Sequence, residues 1–308
     1  MSEPRMNPRF VERARRTVRS MERELRATYG WTLLDVEVAA RDFALIISGI
    51  VPVLRTAQRL TAALADDLPT GWSLDTTRLR PLRTDRWAEL RLPITPVWQK
   101  LPSLARVLAT ELSRDDGPVE LLAEHDAFRL IRAIDGTVGW IDGEVGAPRP
   151  APRIAAAHGT AEGVVAAARR YLDAPYLLGG ATEHGLDCSA LVQRAFWLGL
   201  AVLLPRHSSD QLAATWRGDE QPAQSADLVF AWTKREGPCH VGVQVDGAPR
   251  TVIHASHGRK RVVEDPLDRF LGDASRVEIV PLPSVLGFHE TNLGRSALEL
   301  PDVAETMD

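Results

Sequence analysis

The chain has 308 residues, 44% of them apolar and 25% charged. This is ordinary globular usage at well over the usual single-domain length, so it excludes a disordered, collagen-like or coiled-coil chain and predicts two or three domains. With 37 Lys and Arg against 41 Asp and Glu, the formal charge of -4 gives no global positive field to draw nucleic acid or anionic lipid.

The start of the chain carries arginines but no apolar core of about 7–15 residues, so it does not read as a secretory signal. The apolar run 43–54, interrupted by Ser48, Gly49 and Pro52, falls short of the roughly 20 residues of a spanning helix. A cytoplasmic location without a membrane span is the expectation. Phe10, Val11, Ala14, Val18, Met21 and Leu25 recur at three- and four-residue steps, which predicts an amphipathic helix packed on its own domain. Glu12, Glu22 and Glu24 among the arginines argue against a membrane-surface role. Residues 33–39 and 43–51 read as two strands of a hairpin turning at Arg41-Asp42. After Pro52, the stripe Leu54, Ala57, Leu60, Ala63 and Leu64 predicts a second helix ending near Asp66-Asp67. Residues 1–82 are thus expected to form an α/β module, whose role the sequence leaves open.

Between Trp87 and Gly143 the texture changes to short apolar segments punctuated by Pro93, Pro96, Pro102, Asp115-Asp116-Gly117 and Asp135-Gly136. Strands at 118–122, 128–131 and 137–141 with that punctuation predict a small all-β domain over 85–145. Its ending Asp-Gly-x-Val-Gly-Trp resembles the bacterial SH3-like modules attached to cell-wall enzymes, and Trp140 reads as a core aromatic. A proline-rich run from Gly146 to Arg153 predicts a stiff linker over 146–160. Helical patterning at 161–171 opens a third domain expected to run over 161–283, followed by an unassigned tail, 284–308.

The chemistry concentrates in the third domain. Glycines and polar residues end at Asp187, and Leu191, Val192, Ala195, Phe196 and Leu198 then follow helical spacing, so Cys188 falls at a helix start. The unpaired N–H groups there favour a thiolate, which makes Cys188 a nucleophile candidate. A thiol used for acyl transfer needs a base and an orienting partner. His240 and His254 lie on two strand candidates joined by Asp246 to Arg250; a hairpin symmetric about Gly247 sets them directly opposite each other, with Cβ atoms about 5 Å apart. His240 would take the thiol proton while His254 fixes its tautomer and orientation. Cys239 alternates to the other face and reads as a structural thiol; His184, His207 and His257 read as loop residues. Two cysteines cannot build a four-ligand zinc knuckle, and no metal or cofactor is expected.

From Val164 to Pro283 the chain resembles the NlpC-type, papain-like cysteine peptidases of bacterial cell-wall peptides. The resemblance is carried, in order, by the residues 171–180, Gly185-Leu-Asp-Cys-Ser-Ala190, 204–211, Ala226-Asp-Leu-Val-Phe230, His240-Val-Gly-Val243 and Val252-Ile-His-Ala-Ser256. It implies Cys188 as nucleophile, His240 as base, His254 as the third polar residue and Tyr176 beside the thiol as oxyanion donor. It also implies cleavage between γ-D-glutamate and a diamino acid in peptidoglycan stem peptides or muropeptides. Members with SH3-like modules often require a free N-terminal L-alanine, and by motif position Asp187 and Ser189 would meet that amine, Arg206 and Ser208 the substrate's carboxylates. The pattern departs from the family at Ala190 and Ala226, each usually glycine, and at Leu178, often tryptophan; a methyl at Ala190 is expected to narrow the approach to the thiol.

The expected fold class is therefore α+β: a papain-like cysteine peptidase domain preceded by a small SH3-like β-barrel and an N-terminal α/β module. The expected partner is a peptidoglycan stem peptide or muropeptide, not nucleic acid, and the oligomeric state is left open. The same thiol chemistry also suits an acyl- or amidotransferase, and a non-catalytic binding protein for cell-wall peptides is the third reading.

Overall fold

The computed structural model describes residues 8–29, 34–52, 54–153, 155–215, 224–232, 240–246 and 249–291. The chain divides into two units, Met1–Thr84 with Gln99–Arg106, and Asp85–Trp98 with Val107–Asp308. Residues 99–106, within the stretch read as all-β, belong to the first unit.

In the first unit, α1 (Pro8–Tyr29) buries the predicted stripe of Phe10, Val11, Ala14, Val18, Met21 and Leu25. Its charged face is laced with ion pairs such as Arg19 to Glu12 at 2.6 Å, the solvated arrangement its mixed charges favour. Strands β1 (Asp35–Arg41) and β2 (Ala44–Val51) form the antiparallel hairpin. Its turn is Asp42-Phe43, one residue later than read, with φ of 48° and 61°. Two consecutive positive φ values are what a tight turn needs to match the strands' right-handed twist. Helix α2 (Leu54–Ala65) then crosses over to β3 (Ser73–Pro81), which pairs parallel with β2.

The second unit begins with a seven-stranded antiparallel sheet. Its strands are β4 (Trp87–Ala88), β5 (Ile94–Trp98), β6 (Leu108–Ser113), β7 (Val119–His125), β8 (Phe128–Arg132), β9 (Val138–Asp142) and β10 (Pro148–Arg149), in the order β10-β4-β7-β8-β9-β5-β6. A single 3₁₀ turn, Arg114–Asp116, links β6 to β7. Trp140 is fully buried, as its core reading requires. The proline-rich run is not wholly a linker: Pro148 and Arg149 pair with Ala88 and Trp87, and Gly146 N–H donates to Glu89 O at 2.8 Å. Proline at an edge strand loses no ladder bond, so composition alone could not distinguish edge from linker.

The remainder contains α3 (Ala161–Arg169), the short hairpin β11 (Ala181–Thr182) and β12 (Gly185–Leu186), α4 (Cys188–Leu200) and α5 (Ser208–Thr215). A five-stranded antiparallel sheet follows: β13 (Leu228–Trp232), β14 (His240–Val245), β15 (Thr251–Ser256), β16 (Arg261–Pro266) and β17 (Arg276–Val280), ordered β16-β15-β14-β13-β17. Helix α6 (Leu267–Leu271) leads from β16 towards β17, and α7 (Leu282–Thr291) closes the described chain. Helices α3 and α4 pack together and on β14 and β15. The core on this face holds Leu191, Val192 and Phe196 of α4 against Val241, Val243 and Ile253, each fully buried. Burial of each such side chain contributes about 1.5–3 kcal/mol, which fixes α4 to the sheet. Val285 and Phe288 of α7 join the same core, so residues expected to start a tail belong to this domain's packing. Among the described residues no helix is long and apolar enough to cross a membrane.

Candidate active site

Cys188 is the first residue of α4, as the spacing predicts, and is partly exposed. Asp187 is the N-cap: its backbone is extended (φ -94°, ψ 179°) and its side chain accepts from Ala190 N–H at 2.9 Å. A capped helix start leaves the remaining N–H groups and the positive end of the helix dipole at the position of the thiol.

The N-cap is itself held from behind. Arg206 Nη1 and Nη2 donate to Asp187 Oδ1 and Oδ2, each at 2.8 Å, while Gly179 N–H donates to Oδ2 at 2.9 Å and Ser189 Oγ to Oδ1 at 3.1 Å. The other Arg206 donors reach Ser189 Oγ at 3.1 Å, Gly180 O at 3.0 Å and Thr110 Oγ1 at 2.9 Å. All five guanidinium N–H groups are thus used within the protein, and Arg206 is only 1% exposed. This corrects the expected substrate roles of both residues: Asp187 is not open to a substrate ammonium, nor Arg206 to a carboxylate, because they neutralise each other. Burial acts to raise Asp187, but Arg206 and the N–H groups of Ala190 and Gly179 hold it below the usual carboxylate range. Ser189 belongs to the same buried cluster, and Ser208 opens α5 as a buried residue. Gly179 has φ +81° and an added Cβ would stand 2.7 Å from Leu108 O, so only glycine brings this N–H to Asp187.

The antiparallel sheet of residues 85–149 braces the helix start from its β6 edge. Besides the Thr110 bond, Glu111 accepts from Thr182 Oγ1 at 3.0 Å and from Ala181 N–H at 3.3 Å, holding the β11–β12 hairpin that delivers Asp187. Asp116 pairs with Arg194, and Gln193 Nε2 donates to Asp135 Oδ2 at 2.9 Å, both one to two turns along α4. None of Thr110, Glu111, Asp116 or Asp135 carried a local signal, since each meets its partner from more than 50 residues away. Ala190 is fully buried in the core. Leu178, in contrast, is 56% exposed beside Tyr176.

The two histidines do meet: His240 Nε2 lies 2.8 Å from His254 Nδ1. The register differs from the symmetric hairpin, however. Val243 pairs with Ile253 and Val245 with Thr251, which centres the turn one residue later and makes His240 and His254 diagonal neighbours. The intervening Gly242 makes this possible, because a Cβ there would stand 2.4 Å from Val252 Cγ1 and 3.2 Å from His254 Cβ. Phe270 of α6, which the sequence reading missed, stacks on the His240 ring (centroids 5.2 Å apart) and meets His254 edge-on at 4.9 Å. Tyr176 links the thiol side to the imidazole side. Burial, with Cys188 and Asp187 nearby, pushes its phenol up to about 12, and its ring meets His257 edge-on at 5.2 Å. The hydroxyl therefore stays protonated, a donor at neutral pH. Cys239, read as a structural thiol, lies outside the described residues.

Burial, with His254 and His257 close by, pushes His240 down from 6.5 to about 3. Burial lowers His254 as well, against the Asp265 carboxylate, which acts to raise it. Both rings are neutral at pH 7, so His240 rests in the form that can accept a proton. In the unfolded chain each ring takes a proton near 6.5, so between 6.5 and the lower folded values the unfolded state binds more protons and stability falls as pH falls. The melting temperature is expected to drop from pH 7 to pH 4, and less steeply in His240→Gln. Equal slopes in the two proteins would assign the acid sensitivity to other groups.

Residues 173–274 match the NlpC/P60 family. Gamma-DL-glutamyl hydrolase of Bacillus subtilis (strain 168) is 40% identical over 113 residues, covering 36% of this chain and 27% of that protein. Bifunctional muramidase/DL-endopeptidase CwlT of the same strain is 40% identical over 87 residues, covering 27% of this chain and 26% of that protein. The match thus spans about a quarter of the length of these two relatives. Among solved structures, the NlpC/p60 domain of peptidoglycan hydrolase SagA is 24% identical, covers 40% of this chain and 99% of its own, and superposes with a TM-score of 0.33. Residues 173–274 thus form the part of this chain that is similar to the NlpC/P60 family of cysteine peptidases.

Proposed function

We propose that the protein is a cysteine endopeptidase that hydrolyses the γ-D-glutamyl–diamino acid bond of peptidoglycan stem peptides or muropeptides. The observation that carries this reading is a thiol at a capped helix start, Cys188, in a domain whose sheet holds His240 hydrogen-bonded to His254 at 2.8 Å. The two relatives named for γ-glutamyl and DL-endopeptidase activity support the choice of bond.

In this mechanism His240 takes the Cys188 proton and the thiolate sulfur bonds to the γ-carbonyl carbon. The developing oxyanion faces the N–H groups at the start of α4, with the protonated Tyr176 hydroxyl as a second donor. The C–N bond breaks, His240 returns its proton to the departing amine, and a thioester remains. Water then attacks the thioester carbon, giving its proton to His240. The S–C bond breaks, releasing the γ-carboxylate and restoring the thiol. We read the sheet of residues 85–149 as the SH3-like module, which suits a substrate of free muropeptides with an N-terminal L-alanine.

Incubation of L-Ala-γ-D-Glu-meso-diaminopimelate with the protein is expected to release free diaminopimelate, detected by mass spectrometry. An N-acetylated copy tests for a free-amine requirement, and its sparing would place the protein on free muropeptides. Cleavage of both would remove the free-amine requirement. A new amide formed with an added amine would make the protein a transferase, and intact peptide throughout would sink this substrate and favour a binding role.

A further inference from the structure

The paired histidines are part of a longer row. Strand β15 pairs with β16 so that His254 is opposite Val263 and Val252 opposite Asp265. Side chains alternate between the faces of a sheet, so Asp265 shares the face of His254, one diagonal step further on, just as His254 stands one diagonal step from His240. Asp265 Oδ2 lies 3.3 Å from His254 Nε2. Its other oxygen, Oδ1, is held by Arg259 Nη2 at 3.1 Å and faces Arg269 Nη1 at 3.7 Å. The carboxylate is buried.

This row determines where protons sit. A carboxylate only accepts, so the hydrogen of its bond to His254 must be on His254 Nε2. A neutral imidazole carries one N–H, so His254 Nδ1 is then bare and must accept from His240 Nε2–H. That leaves the lone pair of His240 on Nδ1. Reversing the chain at its far end, with a donor where Asp265 Oδ2 is, would move the hydrogen of each ring to Nδ1 and remove the lone pair that takes the proton. We propose that Asp265 is a positioning residue that, through His254, selects the tautomer in which His240 can act as a base. The proposal rests on the peptidase reading above only for its consequence in catalysis; the tautomer itself is independent of substrate.

The informative variant is Asp265→Asn. Arg259 donates to the Oδ1 position at 3.1 Å and Arg269 faces it at 3.7 Å, so the amide oxygen is held there and the amide nitrogen turns towards His254 Nε2. A donor thus replaces an acceptor with almost no change in shape. The experiment is long-range ¹H–¹⁵N spectroscopy of histidine-labelled full-length protein at pH 8, with the rings assigned by single His→Gln variants. Wild type is expected to show Nε2–H on both His240 and His254. Asp265→Asn is expected to show Nδ1–H on both, with kcat reduced at least about 100-fold and KM little changed, the scale on which a wrong tautomer acts in a triad. Should Asp265→Asn not fold, the wild-type spectrum still decides: Nδ1–H on His254 overturns the proposal. So does an unchanged His240 tautomer in a folded Asp265→Asn, or a flipped tautomer with wild-type kcat. Wild type that shows the Nε2–H rings but leaves the peptide intact would overturn the substrate assignment and leave the tautomer assignment standing.

Discussion

Cys188→Ala is expected to lose at least about 10⁴-fold in kcat on the γ-D-glutamyl peptide while melting within about 2 °C of wild type. The two halves of this expectation have separate causes. Only the sulfur reacts with the carbonyl, because the hydroxyl of the next residue, Ser189, is buried and donates to Asp187 Oδ1. Stability is spared because the features that hold the helix start belong to neighbours: Asp187 caps it, Arg206 holds Asp187, and Leu191, Val192 and Phe196 bury its inner face. Cys188 itself is partly exposed and packs only at the margin of that core. Iodoacetamide provides a check without substrate. Because the chain has two cysteines, peptide mapping separates Cys188 from Cys239, and Cys188 is expected to label rapidly in wild type and more slowly in His240→Gln, where the base is gone. Undiminished hydrolysis by Cys188→Ala would rule out the thioester, whichever bond is cleaved.

Much of this site was legible because its signals are local. The end of the glycine-rich stretch at Asp187 and the apolar spacing from Leu191 mark the helix start that places Cys188. The face shared by His240 and His254 was also legible, even though the register was misjudged. Moving the hairpin centre by one residue moves every cross-strand partner by two, and a shift of two keeps a side chain on its face. Diagonal and direct neighbours both lie within reach of an imidazole. The pairing of Arg206 with Asp187 was not legible, because nothing in the separation of 19 residues distinguishes a guanidinium that grips substrate from one that grips the N-cap. The same holds for Thr110 and Glu111, whose partners lie 70 or more residues away, and for Asp265, whose role depends on two successive strand registers. Residues 99–106 and Pro148-Arg149 were misplaced for a related reason: proline and short apolar segments mark interruptions, but only pairing decides which sheet or unit a segment joins.

Arg206→Met is expected to be the most destabilising single change near the site, costing about 3–5 kcal/mol. The estimate follows from what is left behind. Methionine fills much of the space, but Asp187 would remain a buried carboxylate without its counter-ion, and Gly180 O would keep just the Asp187 N–H, at 3.3 Å. Arg206→Lys keeps the charge but cannot serve Asp187 Oδ1 and Oδ2, Ser189, Gly180 and Thr110 at once, because an ammonium has three donors at one point rather than five in a planar fork. It is expected to recover only part of the loss. Thr110→Val removes just the acceptor of the Nε bond and is expected to cost about 1–2 kcal/mol, which separates the brace from the β6 strand from the ion pair itself. The decisive comparison adds Asp187→Asn to Arg206→Met. Neutralising the stranded charge should restore stability relative to Arg206→Met alone, while asparagine still caps α4. Thermal and urea unfolding of wild type and the four variants would measure this directly. If the double variant were no more stable than Arg206→Met, the loss would come from packing around the guanidinium. If Arg206→Met lay within about 1 kcal/mol of wild type, the start of α4 would be held by its buried apolar face, and the polar cluster behind Cys188 would be free to serve another end.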